Sequence, residues 1–136
     1  MRRHVVPYPS THRFSPIVLD YLERDESLLE HYQWPPDRDG LDRALADRSF
    51  DEQARATLCE VLRDQYHGLA VDEAVRLNLE ALQEPRSVTV TTGHQLCLFT
   101  GPLYVPFKLL NVIRLARVLS TSLRPVVPVF WMATED

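Results

Sequence analysis

Ser87-Val88-Thr89-Val90-Thr91-Thr92-Gly93 and Arg124-Pro125-Val126-Val127-Pro128-Val129-Phe130-Trp131-Met132-Ala133 are two β-branched runs separated by one long apolar segment. Their valine and threonine content reads both as strands, the first ending at Gly93. Between them, from Leu103 to Thr121, Val105, Phe107, Leu109, Leu110, Val112, Ile113, Leu115, Ala116, Val118 and Leu119 make a helix apolar nearly all round. Its polar stripe is Lys108, Asn111, Arg114 and Arg117. Strand, crossover helix and strand make a βαβ unit with parallel strands and an expected right-handed crossover. The expected fold class is α/β. Purely parallel sheets are covered on both faces and normally hold several strands, so the partners of these two are expected beyond Asp136 and the chain is read as truncated.

Upstream the pattern is helical. Ser15-Pro16 offers an N-cap followed by proline at the first helical position, for a short helix to Arg24. Residues 32–40 hold Pro35, Pro36 and Gly40 and are expected to form a non-helical loop, pinned by Trp34. From Asp39 to Gln83, Leu41, Ala44 and Leu45, then Ala54, Leu58, Val61, Leu62 and Leu69, then Val75, Leu77, Leu79 and Leu82 recur at helical spacing. The change of pattern at Pro85 divides a mainly helical segment, 1–84, from the start of the sheet domain, 85–136.

A net charge of −4 with dispersed Lys and Arg argues against nucleic acid or an anionic membrane as partner. Two cysteines, no secretory pattern after Met1-Arg2-Arg3-His4, and no apolar run of about 20 residues read as a reducing cytoplasm. Ten prolines against four glycines make stiff connections rather than a flexible linker.

In open α/β sheets ligands bind outside the carboxyl ends of the strands, here loop 92–103 and the residues after Ala133. The loop reads Thr92-Gly93-His94-Gln95-Leu96-Cys97-Leu98-Phe99-Thr100-Gly101-Pro102-Leu103-Tyr104. Its glycines admit close backbone approach, and the helix start that follows offers free N–H groups to a phosphate or carboxylate. It is neither a Walker A loop nor a dinucleotide fingerprint. Lys108, one turn into the helix, leans back toward Gly101 and would meet an anion there, or else belongs to the solvated stripe. Glu135 and Asp136 would hold an amine, a ribose hydroxyl or a metal, or else sit in solvent. His94 is a general-base candidate, since histidine ionises near neutral pH, or only a hydrogen-bond partner for backbone. Cys97, between Leu96, Leu98 and Phe99, reads as a small buried residue rather than a nucleophile, and Cys59 and Trp131 also read as core. His4, His12, His31 and His67 lack metal-ligand spacing, so no metal site is assigned.

The Thr-Gly-His-Gln-Leu-Cys-Leu-Phe-Thr-Gly-Pro-Leu-Tyr run of 92–104, Lys108, and Pro-Val-Val-Pro-Val-Phe-Trp-Met-Ala-Thr-Glu-Asp at 125–136 together resemble the cysteine-adding enzyme family of bacillithiol biosynthesis. The likeness is dense over 86–136 and looser over the helical lead-in. It implies a helical lead-in followed by the first βαβ unit of a Rossmann-like parallel sheet, then a C-terminal coiled coil through which the intact enzyme forms a homodimer. It implies a ligase joining L-cysteine to glucosaminyl-malate through an amide bond, with ATP as the expected activating nucleotide. Thr92, Gly93, His94, Gln95, Thr100, Gly101, Pro102, Leu103 and Tyr104 would line the pocket with Lys108, facing Glu135 and Asp136; His94, Glu135 and Asp136 are the catalytic candidates. Many members carry glutamine at the place of His94, and the family continues with a His-Asp pair after Glu135-Asp136, so these 136 residues alone are expected to be inactive. The rival readings are another Rossmann-like adenylyl-transferring enzyme and a non-catalytic binding module.

Overall fold

A computed structural model of the chain describes residues 4–134. They form two compact units, Met1–Arg48 and Ser49–Asp136.

The first unit holds helices α1 (Pro16–Glu23) and α2 (Arg38–Asp47), with short 3-10 turns at Pro9–Thr11 and Glu26–Leu28. Ser15 is extended and Pro16 occupies the first turn, as read from the sequence, but the Ser15 hydroxyl makes no capping bond. Helix α1 stops where Arg24 turns left-handed at φ 61°. The loop expected to run through Gly40 is shorter: α2 begins at Arg38 because Asp37 accepts a hydrogen bond from the Gly40 amide at 2.8 Å. Gly40 is therefore not a helix breaker. It is buried, and a Cβ there would lie 2.0 Å from the Pro35 carbonyl oxygen. Trp34 is half-buried with the Arg43 guanidinium 5.8 Å from its ring centroid, which holds the preceding loop against α2.

The second unit runs α3 (Glu52–Tyr66), α4 (Glu73–Ala81), β1 (Val88–Gln95), α5 (Tyr104–Leu119) and β2 (Val126–Ala133). Asp51 and Asp72 cap α3 and α4 by accepting from the Ala54 and Ala74 amides at 2.8 and 3.0 Å. The strands β1 and β2 pair in parallel from Val88↔Val126 to Gln95↔Ala133, so the fold is the expected α/β with a βαβ unit. Helix α5 lies on both strands and buries Val105, Val112, Ala116 and Leu119 on one face, with Val126, Val127 and Leu82 completing the core. Leu119, 1% exposed, is the best-covered of these; full burial of a leucine stabilises by about 1.5–3 kcal/mol.

A polar clamp joins the helices to the start of β1. The Arg55 guanidinium donates to the Leu82 carbonyl at 3.0 Å, to Ser87 Oγ at 2.7 Å and to the Ser87 carbonyl at 3.0 Å. Ser87, 2% exposed, donates in turn to the Leu82 carbonyl at 3.2 Å. The aromatic face of Phe50 lies 5.4 Å from the same guanidinium. This clamp satisfies the carbonyl of Leu82, the C-cap residue of α4, and a buried hydroxyl with one planar fork of donors.

Three expectations are corrected. The first strand does not stop at Gly93 but continues to Gln95, because every residue up to there has a register partner on β2. Trp131 is 62% exposed rather than core, as burial fades along β2 from Val126 and Val127 to its carboxyl end. Cys59 is half-buried and Leu58, Val61 and Leu69 of the helical lead-in are exposed, since α3 touches chiefly α4. Among the described residues no helix is long and apolar enough to cross a membrane.

Candidate functional site

The carboxyl end of β1 and the start of α5 meet around three side chains. Tyr104 and Lys108 are four residues apart, hence on one face of α5, one turn above the other. His94 reaches that face from β1: its Nε2 lies 2.6 Å from the Tyr104 hydroxyl, and the two rings are 5.3 Å apart between centroids. The other ring nitrogen, Nδ1, lies 2.7 Å from the Gln95 carbonyl oxygen. A carbonyl only accepts, so in the neutral imidazole Nδ1 carries the proton and Nε2 accepts from the tyrosine O–H. His94 is half-buried; Tyr104 faces solvent.

Lys108 donates from Nζ to the Gly93 carbonyl at 3.1 Å and lies 5.4 Å from the Tyr104 ring centroid. It is half-buried, unlike the exposed Asn111, Arg114 and Arg117 of the expected stripe, and so leaves that stripe. Its direct hydrogen-bond partner is the Gly93 carbonyl.

Two glycines shape the backbone around this cluster for different reasons. Gly93 has ordinary strand geometry, but a Cβ would lie 2.9 Å from the Trp131 carbonyl oxygen. Gly101 has φ +66°, and a Cβ there would meet Cys97 Sγ at 2.4 Å. Ahead of Gly101, Phe99 and Thr100 also have positive φ, 51° and 67°, a run of three positive-φ residues that the sequence does not announce, since two of them are not glycine.

At the helix start few backbone amides keep a free N–H. The Val105 amide donates to the Pro102 carbonyl at 2.9 Å, that of Phe107 to the Leu103 carbonyl at 3.4 Å, and Pro106 has none, which leaves the amides of Leu103 and Tyr104. Thr92 is half-buried and Gln95 exposed at the end of β1, and the Thr100 hydroxyl is turned onto the Phe99 carbonyl. Cys97 is exposed rather than buried. Its apolar neighbours in sequence do not surround it in space: Leu96, Leu98 and Phe99 all face outward, Phe99 at 97% exposure. Glu135 and Asp136 lie outside the described residues. Among the described residues no three His, Cys, Asp or Glu side chains gather as a metal site.

Thus His94, Tyr104, Gly93 and Lys108 come together, while Thr100, Gly101 and Pro102 form the turn that delivers Tyr104. The pairing of His94 with Tyr104 was absent from the sequence reading; the signal available for it was the four-residue spacing of Tyr104 and Lys108 beside a strand end.

All 136 residues match the family model described as the N-terminal Rossmann-like domain of BshC of bacillithiol biosynthesis, over residues 1–136. Among curated proteins, the chain is similar to those named "Putative cysteine ligase BshC" from three bacteria. It is 39% identical to that of Christiangramia forsetii over 100% of this chain and 26% of the relative. The figures are 44%, 91% and 24% for Cytophaga hutchinsonii, and 32%, 90% and 23% for Bacillus licheniformis. The chain spans about a quarter of the length of these relatives.

Proposed function

Since this chain belongs to the BshC family of bacillithiol biosynthesis, we propose that its βαβ unit supplies one wall of the site where a cysteine ligase forms an amide bond. The acid partner is L-cysteine, through its carboxyl group, and the amine partner is glucosaminyl-malate. A nucleoside triphosphate, ATP in this reading, is the co-substrate that activates the carboxyl. Its phosphates suit the donors at hand: the amides of Leu103 and Tyr104 and the ammonium of Lys108. Thr92, Gly93, Gln95, Thr100, Gly101 and Pro102 shape the wall; Glu135 and Asp136, which follow β2 in the chain, are the carboxylates this reading assigns to the same reaction. The intact protein is read as a cytoplasmic homodimer without nucleic-acid or membrane partners, joined through a coiled coil.

The observation that carries this reading is the His94–Tyr104–Lys108 cluster at the carboxyl end of a parallel strand, where the His94 imidazole meets the Tyr104 hydroxyl and the Lys108 ammonium lies over the Tyr104 ring while donating to the Gly93 carbonyl. The test is a mass-spectrometric assay of the intact enzyme for cysteine-dependent conversion of glucosaminyl-malate to bacillithiol. Lys108→Met and Gly101→Val variants run beside it. Product formation that falls at least about tenfold in both variants supports the site; a folded intact enzyme that makes no product with any nucleotide sinks the ligase reading.

A further inference from the structure

We infer that the outer face of α5 is the docking surface for an amphipathic, partly acidic helix from the part of the intact protein that lies outside these 136 residues. The inference concerns assembly and does not rest on the ligase chemistry. Helix α5 is apolar on two opposite sides. Val105, Val112, Ala116 and Leu119 are buried and, at about 100° per residue, share the side that lies on β1 and β2. Leu103, Phe107 and Leu110 fall on the opposite side, at 74%, 64% and 64% exposure. A helix whose outer side meets only water carries polar residues there; one that is apolar all round is covered all round.

Three features of that face select its occupant. Positions 103, 107, 110 and 114 follow the i, i+4 and i, i+3 spacing of a helix ridge, the relief into which a second helix packs, and the α5 backbone is already bonded within the helix, so no strand adds to it. Arg114 and Arg117 continue the same face toward the carboxyl end; both are exposed, and neither has an ion-pair partner among the described residues. A segment lying over them brings carboxylates, because a covered guanidinium without a counter-charge is costly. The source is the intact chain itself: these residues span 26% and 24% of two relatives, which leaves about three quarters of the protein to supply the cover. The docked helix therefore has apolar residues at three and four residue spacing against Leu103, Phe107 and Leu110, and Asp or Glu at the end that crosses Arg114 and Arg117.

The test is hydroxyl-radical footprinting of the intact protein, read by mass spectrometry. Leu119, 1% exposed, and the urea-unfolded protein set the two limits of the scale. Leu103 and Leu110 are expected to oxidise as slowly as Leu119, and Phe107 to react only on unfolding. Rates in the folded protein that match the unfolded one overturn the inference, since the face is then open to water. A photo-reactive residue in place of Leu110 identifies the cover. The expected product is a cross-link within one chain, to a peptide outside these 136 residues that carries Asp or Glu; a cross-link between two copies, or to a peptide within these residues, overturns it. Arg114→Glu combined with Arg117→Glu should raise the oxidation of Leu110 and lower the thermal midpoint of the intact protein, whereas lysine at both positions leaves both readings as in wild type. A charge-reversed protein as protected and as stable as wild type overturns the acidic complement.

Discussion

Gly93 and Trp131 face each other across the parallel pair, and the space between them is that of a missing methyl: a Cβ on Gly93 would lie 2.9 Å from the Trp131 carbonyl oxygen and 3.1 Å from its Cβ. Both obstacles are backbone or backbone-attached, so neither can swing aside. Gly93→Ala is expected to push the strands apart and cost about 1–3 kcal/mol, as overpacking does elsewhere. A lower denaturant midpoint of the intact protein, with loss of activity because His94 is the next residue, is the outcome that checks it.

Gly101 tests a different constraint. Its φ of +66° disfavours any other residue, and a Cβ would strike the Cys97 sulfur. Gly101→Ala should cost about 1–3 kcal/mol for the positive-φ, extended-ψ backbone alone, a region that favours glycine. Cys97→Ala combined with it removes the steric part only. Thermal unfolding of the two variants should therefore show partial recovery in the double variant; complete recovery would mean that the backbone conformation carries no cost.

The Arg55 clamp predicts a large effect far from the cluster. Arg55→Ala removes donors from the Leu82 carbonyl, which keeps only the Ser87 hydroxyl, and from both acceptors of Ser87, and leaving a buried group unpaired costs about 1–3 kcal/mol. Arg55→Lys should not restore it, since one ammonium cannot span three acceptors as the guanidinium fork does. Chemical denaturation compares the three proteins, and faster hydrogen exchange at Val88, whose amide donates to the Pro125 carbonyl, locates the loss.

Acid should weaken the first unit through Asp37. The Gly40 amide that it accepts from, and the Arg24 guanidinium beside it, hold its carboxyl below the usual aspartate value near 3.8. A carboxyl depressed in the folded state contributes stability that is present above its unfolded value and lost as pH falls through the folded one. The Gly40 amide resonance should thus titrate with a midpoint below 3.8, and Asp37→Asn should flatten the acid limb of stability. A midpoint at or above that value would contradict the cap.

Much of this was legible in the chain. Asp51 and Asp72 cap their helices through residues two or three positions on, a local feature that the sequence analysis did not single out. The parallel pairing of β1 with β2 followed from the length of the intervening helix, and the placing of Thr92–Tyr104 at the strand ends followed from that topology. Ser15 shows where local reasoning fails: it has the right type and backbone geometry for a cap, yet no bond forms.

The sequence by itself therefore determined the order of elements, the parallel βαβ unit and the segment that carries the polar cluster, since periodicity and β-propensity act over neighbours in the chain. Tertiary structure alone decided which of those residues meet. Trp131 and Cys97, apolar by context in sequence, are exposed because what covers a side chain is set by docking of other elements. His94 finds Tyr104 because the register of β1 and the docking of α5 bring positions ten residues apart within hydrogen-bond reach, a distance that no local pattern encodes.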